Sequence, residues 1–232
     1  MLPGHGGAET CAELVYHEAR DRPDERTGML NLLRPQIARV TEPTGRALAR
    51  TGITPNTITI VGTLGVAAGS LGFFARGSLF WGTVIITVSV LLDLLDGAVA
   101  RVTGTSGAWG AFLDSTLDRV ADALIFGSLV WWLSGGGHGR VLAGVALFCL
   151  VAGAVVSYAK ARAEGLGLTC NVGIAERGER LLLVLVPAGL SGLGVPYVLD
   201  VGLWVLAVLS AITVGQRVAE VRRQIPPTKK AT

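Results

Sequence analysis

The sequence predicts an all-α integral membrane protein: six transmembrane helices preceded by an N-terminal amphipathic helix lying at the interface. Half of its 232 residues are hydrophobic and only 16% are charged, a balance unlike that of soluble domains. The apolar residues gather in successive runs bordered by basic residues, as membrane spans do, instead of alternating as strands do. A total of 32 glycines suits helices whose backbones approach closely in lipid.

Residues 1–28 are polar and of mixed charge, with no apolar run long enough for a signal-peptide core. They are expected to form a disordered extension in which His5 and His17 are solvated. From Met29 onward, Leu30, Leu32, Leu33, Ile37 and Val40 alternate with Arg34, Arg39 and Arg46, which predicts the interfacial helix, interrupted at Pro35 and Pro43. The first span runs from Ile58 to about Phe74, with Thr54 or Asn56 able to cap it. The second, Leu79 to Leu92, continues as a helix to Arg101, and the third carries Asp114 and Asp118 on its first turns and ends at the interfacial pair Trp131 and Trp132. After the glycine-rich loop Ser134–Arg140, the fourth span runs from Val141 to about Tyr158. The fifth, Leu181 to about Leu193, is short and holds Pro187, so a kink or tilt is expected. The sixth covers Tyr197 to Val214, and the basic tail beyond it, with Arg222, Arg223, Lys229 and Lys230, reads as cytosolic and disordered. The membrane domain is taken as residues 29–223, with 224–232 as the tail.

Loop charge sets the orientation. With the N-terminus inside, the outer loops hold only Arg76 and Arg140, whereas Arg46, Arg50, Arg101, Lys160, Arg162, Arg177, Arg180 and Arg217 fall on inner segments. The positive-inside tendency then places both termini on the cytosolic side of the cell membrane. No basic run is interleaved with aromatics, so the net charge of +3 points to membrane lipids and not to nucleic acid. Cys11, Cys149 and Cys170 show no paired spacing and are read as bystanders.

Residues 93–118 carry the chemistry. Asp93 and Asp96 are three apart and share a helix face; Asp114 and Asp118 are four apart and share a face of the next helix. The polar run Thr103–Gly107 between the pairs suits a hairpin turn. An antiparallel hairpin about residue 105 would set Asp96 level with Asp114 and Asp93 level with Asp118. Four carboxylates at one depth cannot all stay ionised without a compensating cation. An all-oxygen set suits a hard divalent ion such as Mg2+, Mn2+ or Ca2+ better than zinc. Charged residues inside a span mark function by default.

The pattern Asp93-x2-Asp96-Gly97-x2-Ala100-Arg101-x8-Gly110-x3-Asp114-x3-Asp118 matches without departure the signature of the CDP-alcohol phosphotransferases, and the chain thereby resembles that family of integral-membrane phospholipid synthases. The resemblance implies transfer of a phosphatidyl group from a CDP-linked lipid to an alcohol, with release of CMP, by a homodimer. It implies Mg2+ or Mn2+ as cofactor, two ions in all, held by Asp93, Asp96, Asp114 and Asp118, with Asp118 also the base that activates the acceptor. It places Pro55-Asn56-Thr57-Ile58-Thr59 near the nucleotide, although capping alone would account for Asn56 and Thr57. Gly97, Ala100 and Gly110 would leave room for cytidine, and helix packing by small residues is compatible with that. Arg101 would meet a phosphate or reach to the interface. Asp122 continues the row but lies beyond the signature; with Arg119 beside it, it is read as balancing charge and is left out of the site.

The acceptor is read from the basic cluster Lys160, Arg162, Arg177, Arg180 and Arg217, which either holds an acceptor's own phosphate or only anchors the chain. Ser157-Tyr158-x-Lys160-Ala161-Arg162-Ala163-Glu164 together with Glu176-Arg177-x-Glu179-Arg180-Leu181 resembles the actinobacterial phosphatidylinositol-phosphate synthases, over residues 30–223. That likeness implies CDP-diacylglycerol and inositol 1-phosphate as substrates, with Ser157, Lys160, Arg180 and Arg217 around the acceptor phosphate. Glycerol 3-phosphate, in phosphatidylglycerol-phosphate synthesis, is the alternative acceptor. A cation transporter would explain the aspartates but not the Gly-x2-Ala-Arg spacing.

Overall fold

Six α-helices fill the computed structural model, which describes residues 54–104, 107–135 and 139–225. They are α1 (Pro55–Gly72), α2 (Leu79–Thr103), α3 (Ala108–Gly135), α4 (Arg140–Glu164), α5 (Arg177–Gly192) and α6 (Val198–Gln224), with a 3-10 turn at Phe74–Arg76. No strand occurs among the described residues. The expected extension 1–28, the interfacial helix from Met29, Cys11 and the last seven residues lie outside them.

Three segments, Pro55–Arg76, Arg140–Glu164 and Val198–Gln224, are long and apolar enough to cross a membrane. The others fall short for reasons visible in their sequence. In α2 the apolar stretch Leu79–Asp93 runs into the aspartates, α3 carries Asp114, Asp118, Arg119 and Asp122, and α5 has only 16 residues. At about 1.5 Å per residue α5 reaches roughly 24 Å, less than a hydrocarbon core of about 30 Å.

The helices close into a ring. Packing contacts join α1 to α2, α2 to α5, α5 to α6, α6 to α4, α4 to α3 and α3 back to α1. Among the described residues α2 and α3 make no extended packing with each other, and α1 packs against both. Even so, Asp93 of α2 lies level with Asp118 of α3, as the antiparallel hairpin about residue 105 predicts.

Helix direction then decides where polar groups collect. Near one another lie Asn56 at the start of α1 and Gly110 at the start of α3; Arg217 near the end of α6 bonds Val156 near the end of α4. At the other end, Gly192, the last residue of α5, lies against Phe80 at the start of α2, and Thr83 donates to the Leu185 carbonyl midway along α5 at 3.4 Å. The starts of α1, α3 and α5 and the ends of α2, α4 and α6 therefore share one end of the ring. Away from it, apolar side chains such as Ile86, Ile125, Leu129, Val184 and Leu203 form the core. Burial of each such side chain contributes about 1.5–3 kcal/mol in water, but in lipid close packing takes over that role.

Pro187 inside α5 lacks an N–H, and the fit there is achieved by α6. A Cβ on Gly202 would come within 2.6 Å of the Pro187 ring, so only glycine lets the two helices approach at that level. The sixth helix corrects one expectation: it does not stop near Val214 but continues through Arg222 and Arg223 to Gln224. Nothing in 215–224 breaks a helix, and Ile225, which precedes Pro226, turns extended at φ −92° and ψ 113°.

Candidate active site

Asp93, Asp114 and Asp118 each offer a carboxylate oxygen, and these lie within 4.8 Å of one another. The end of α2 supplies the first and the opening turns of α3 the other two. Asp96 and Arg101 follow on α2, but their side chains lie outside the described groups. α1 closes one side: a Cβ on Gly62 would stand 3.5 Å from the Asp93 side chain and 3.2 Å from the Ser89 carbonyl oxygen. A cavity of about 10 Å3, bordered by Gly62, Thr63, Asp93, Asp118 and Arg177, leaves room for about one water. Three convergent carboxylates with no nitrogen or sulfur donor among them fit a hard divalent cation.

Arginines surround this acidic centre. Arg177, the first residue of α5, brings Nη1 to 2.6 Å from Asp118 Oδ1 and 3.9 Å from Asp93 Oδ2. Its Nε is 3.6 Å from Asp122 Oδ1. Arg119 Nη1 lies 3.4 Å from Asp122 Oδ2 and Nη2 lies 3.7 Å from Asp118 Oδ2. Arg180, 2% exposed, donates from Nη2 to Asp122 Oδ2 at 3.2 Å. Asp122 is thus the common partner of three guanidinium groups, and it stands outside the group of carboxylates able to share an ion.

One stretch of α4 receives an arginine from each of three other helices. Arg180 of α5 donates to the Gly153 carbonyl at 3.0 Å, Arg217 of α6 to the Val156 carbonyl, and Arg119 of α3 to the Ser157 hydroxyl. Gly153 permits the first contact, because a Cβ there would lie 3.2 Å from the Arg180 guanidinium. Of the residues expected around an acceptor phosphate, Ser157, Arg180 and Arg217 are therefore gathered at this stretch, and Lys160 follows one turn later with Glu164 at 3.9 Å. Arg217, 3% exposed, also donates to the Val172 carbonyl at 3.0 Å and lies 3.9 Å from Glu176, so its nitrogens hold protein together.

The residues expected at the nucleotide divide. Thr54, not Asn56, caps α1: its hydroxyl accepts from the Thr57 amide at 3.3 Å and lies 2.8 Å from the Thr57 hydroxyl. Capping occupies Thr57 and leaves Asn56 to face α3, where a Cβ on Gly110 would stand 3.7 Å from its Oδ1. Gly97 and Ala100 lie half-buried on α2.

The segment 165–176 is strapped to α6. Thr213 Oγ1 accepts from the Ile174 and Ala175 amides at 3.2 and 3.0 Å, and Gln224 Oε1 accepts from the Thr169 amide at 3.0 Å. The strap delivers Glu176 and Arg177 to the start of α5. Cys170 within it is fully buried, and burial holds its thiol above the usual range. Neither Arg119 nor Asp122 was assigned to a site from sequence; the signal available was the place of Asp122 one turn beyond Asp118 on the same helix face.

The comparisons with known proteins agree in direction. The model of the CDP-alcohol phosphatidyltransferase family matches residues 52–215. The phosphatidylinositol phosphate synthase of Streptomyces avermitilis is 49% identical over 212 residues, covering 88% of this chain and 87% of that protein. The synthase of the same name from Mycobacterium marinum is 47% identical over 189 residues, 80% of this chain and 81% of the relative. A crystal structure of the Mycobacterium tuberculosis phosphatidylinositol phosphate synthase with CDP-DAG bound superposes with a TM-score of 0.77 at 43% identity, covering 84% of this chain and 98% of that one. The same enzyme in complex with manganese and citrate gives 0.76 at 43%, covering 83% and 93%.

Proposed function

This chain belongs to the CDP-alcohol phosphatidyltransferase family, and from that premise we propose that it transfers the phosphatidyl group of CDP-diacylglycerol to inositol 1-phosphate, giving phosphatidylinositol phosphate and CMP. The observation that carries the reading is the joining of two unlike sites at one end of the ring. Carboxylates suited to a dication lie beside arginines suited to a phosphate monoester.

Asp93, Asp96, Asp114 and Asp118 would hold two Mg2+ or Mn2+ ions, which when bound neutralise the diphosphate and stabilise the leaving oxygen of CMP. Asn56, Thr57, Gly97, Ala100, Arg101 and Gly110 line the nucleotide side in this reading. Ser157, Lys160, Arg180 and Arg217 orient the acceptor through its phosphate. The acceptor hydroxyl oxygen forms a bond to the lipid-bearing phosphorus as the bond from that phosphorus to the CMP oxygen breaks. Asp118 takes the hydroxyl proton.

All six helices cross the membrane in this reading, and α5 does so by tilt or local thinning of the bilayer. The site and both termini face the cytosol, as the loop charges favour. The segment from Met29 lies along the interface, residues 29–223 form the membrane domain, and two copies associate as a homodimer.

The test is an acceptor panel with purified protein, CDP-diacylglycerol and Mn2+ or Mg2+. CMP release is expected with inositol 1-phosphate and not with free inositol. Equal release with free inositol, or release only with glycerol 3-phosphate, overturns the acceptor assignment.

A further inference from the structure

We infer that Asp122 is a positioning residue for the acceptor pocket: it sets the three arginines Arg119, Arg177 and Arg180 in place to receive a phosphate dianion and holds no metal itself. The inference rests on the proposed reaction and concerns a residue outside the family signature. Asp122 is 7% exposed and lies one helical turn beyond Asp118 on the same face of α3. Its two oxygens contact Arg177 at 3.6 Å, Arg119 at 3.4 Å and Arg180 at 3.2 Å. Those arginines come from two helices that do not pack against each other among the described residues, α3 and α5. The carboxylate is the point at which their directions are fixed relative to one another.

Charge decides what such a cluster can take. Arg177 and Arg119 also pair with Asp118, and Arg177 with Asp93, but in the proposed reaction those carboxylates are taken up by the dications; the three guanidinium groups then face Asp122 alone with an excess of two positive charges, and a phosphate monoester carries about −1.5 to −2 near pH 7. A neutral polyol does not match that excess. Two of the arginines also touch α4 where the acceptor residues lie, Arg119 at Ser157 and Arg180 at Gly153. Asp122 therefore acts on Ser157 through Arg119 and on the pocket directly through Arg180.

The experiment compares Asp122→Asn with the unmodified full chain in detergent or nanodiscs. It reads the KM for inositol 1-phosphate, the KM for CDP-diacylglycerol and direct Mn2+ binding by electron paramagnetic resonance. Asp122→Asn is expected to raise the acceptor KM about tenfold or more while the lipid KM and the Mn2+ Kd stay within about twofold. Asp122→Glu keeps the charge but moves it by one methylene, and is expected to raise the acceptor KM less than Asp122→Asn does, by several-fold. If Asp122→Asn does not accumulate folded, Asp122→Glu carries the test alone, with an acceptor KM raised several-fold at unchanged Mn2+ affinity. A Mn2+ Kd weakened in step with activity makes Asp122 a metal ligand and overturns the inference. So do an equal rise in both KM values and an unchanged acceptor KM. Should the unmodified protein release no CMP with inositol 1-phosphate, the proposed acceptor is wrong; the same comparison run with glycerol 3-phosphate then decides the role of Asp122 separately.

Discussion

Arg177 and Asp118 form an ion pair of 2.6 Å, tying the proposed general base to the first residue of the helix that bears Arg180. A guanidinium and a dication compete for that carboxylate oxygen. Arg177→Gln is therefore expected to bind Mn2+ more tightly than the unmodified protein, by about three- to tenfold, as one charge-assisted contact no longer opposes the ion. Calorimetric titration with Mn2+ in the absence of substrates measures it; weaker binding in the variant shows that Arg177 supports the ion site instead.

Asp93→Asn, Asp96→Asn and Asp114→Asn each remove a formal negative charge from a centre proposed to hold dications. Each is expected to lose nearly all CMP release at ordinary Mn2+ concentrations, with part of it recovered at high Mn2+ for the less central ligand positions. Full activity at unchanged metal concentration in any one of them removes that residue from the ligand set.

Gly153 touches the Arg180 guanidinium through space that a methyl group would claim. Gly153→Ala should displace Arg180 and raise the KM for inositol 1-phosphate with little effect on that for CDP-diacylglycerol. Arg180→Ala should do the same and lower thermal stability by about 1–3 kcal/mol, since Asp122 loses its buried partner but keeps Arg119 and Arg177. Parallel increases in both KM values would separate Arg180 from the acceptor.

Thr213→Val removes the oxygen that accepts from two strap amides and leaves both donors without it. Cys170, whose thiol burial keeps protonated near neutral pH, should be alkylated slowly by maleimide in the unmodified protein and faster in this variant. Because the raised pKa keeps the thiolate fraction low, the unmodified protein should react more readily only as pH is taken above the ordinary thiol range. Equal rates in the two proteins would show that the strap holds without Thr213.

What the sequence disclosed follows from local periodicity. Spacings of three and four residues put Asp93 with Asp96 and Asp114 with Asp118 on common helix faces, and the apolar runs marked six helices close to where they lie. The order of helices around the ring was not legible, because it depends on pairings such as Thr83 with Leu185, 102 residues apart. The same limit hid the partners of Asp122: its neighbour Arg119 was visible, but Arg180 lies 58 residues away. Capping was open between Thr54 and Asn56 because either side chain can serve, and Pro55 decides it: proline suits the first helical position, which makes Thr54 the cap. The extension of α6 to Gln224 was overlooked because the end of the apolar run was taken for the end of the helix, although Pro226 is the first residue there that stops one.

The ring also imposes an order on biogenesis. Its carboxylates sit on the second and third helices and two of their arginine partners on the fifth, with Asp122 and Arg180 separated by 58 residues. A ribosome adding about 5–20 residues per second needs roughly 3–12 s to cover that distance. Through that interval the nascent helices carry acidic groups whose long-range counter-ions have not been synthesised, and of the arginine partners among the described residues Arg119 alone is at hand. In the proposed six-span topology the first three helices therefore precede, by that interval, the arginines that neutralise their carboxylates.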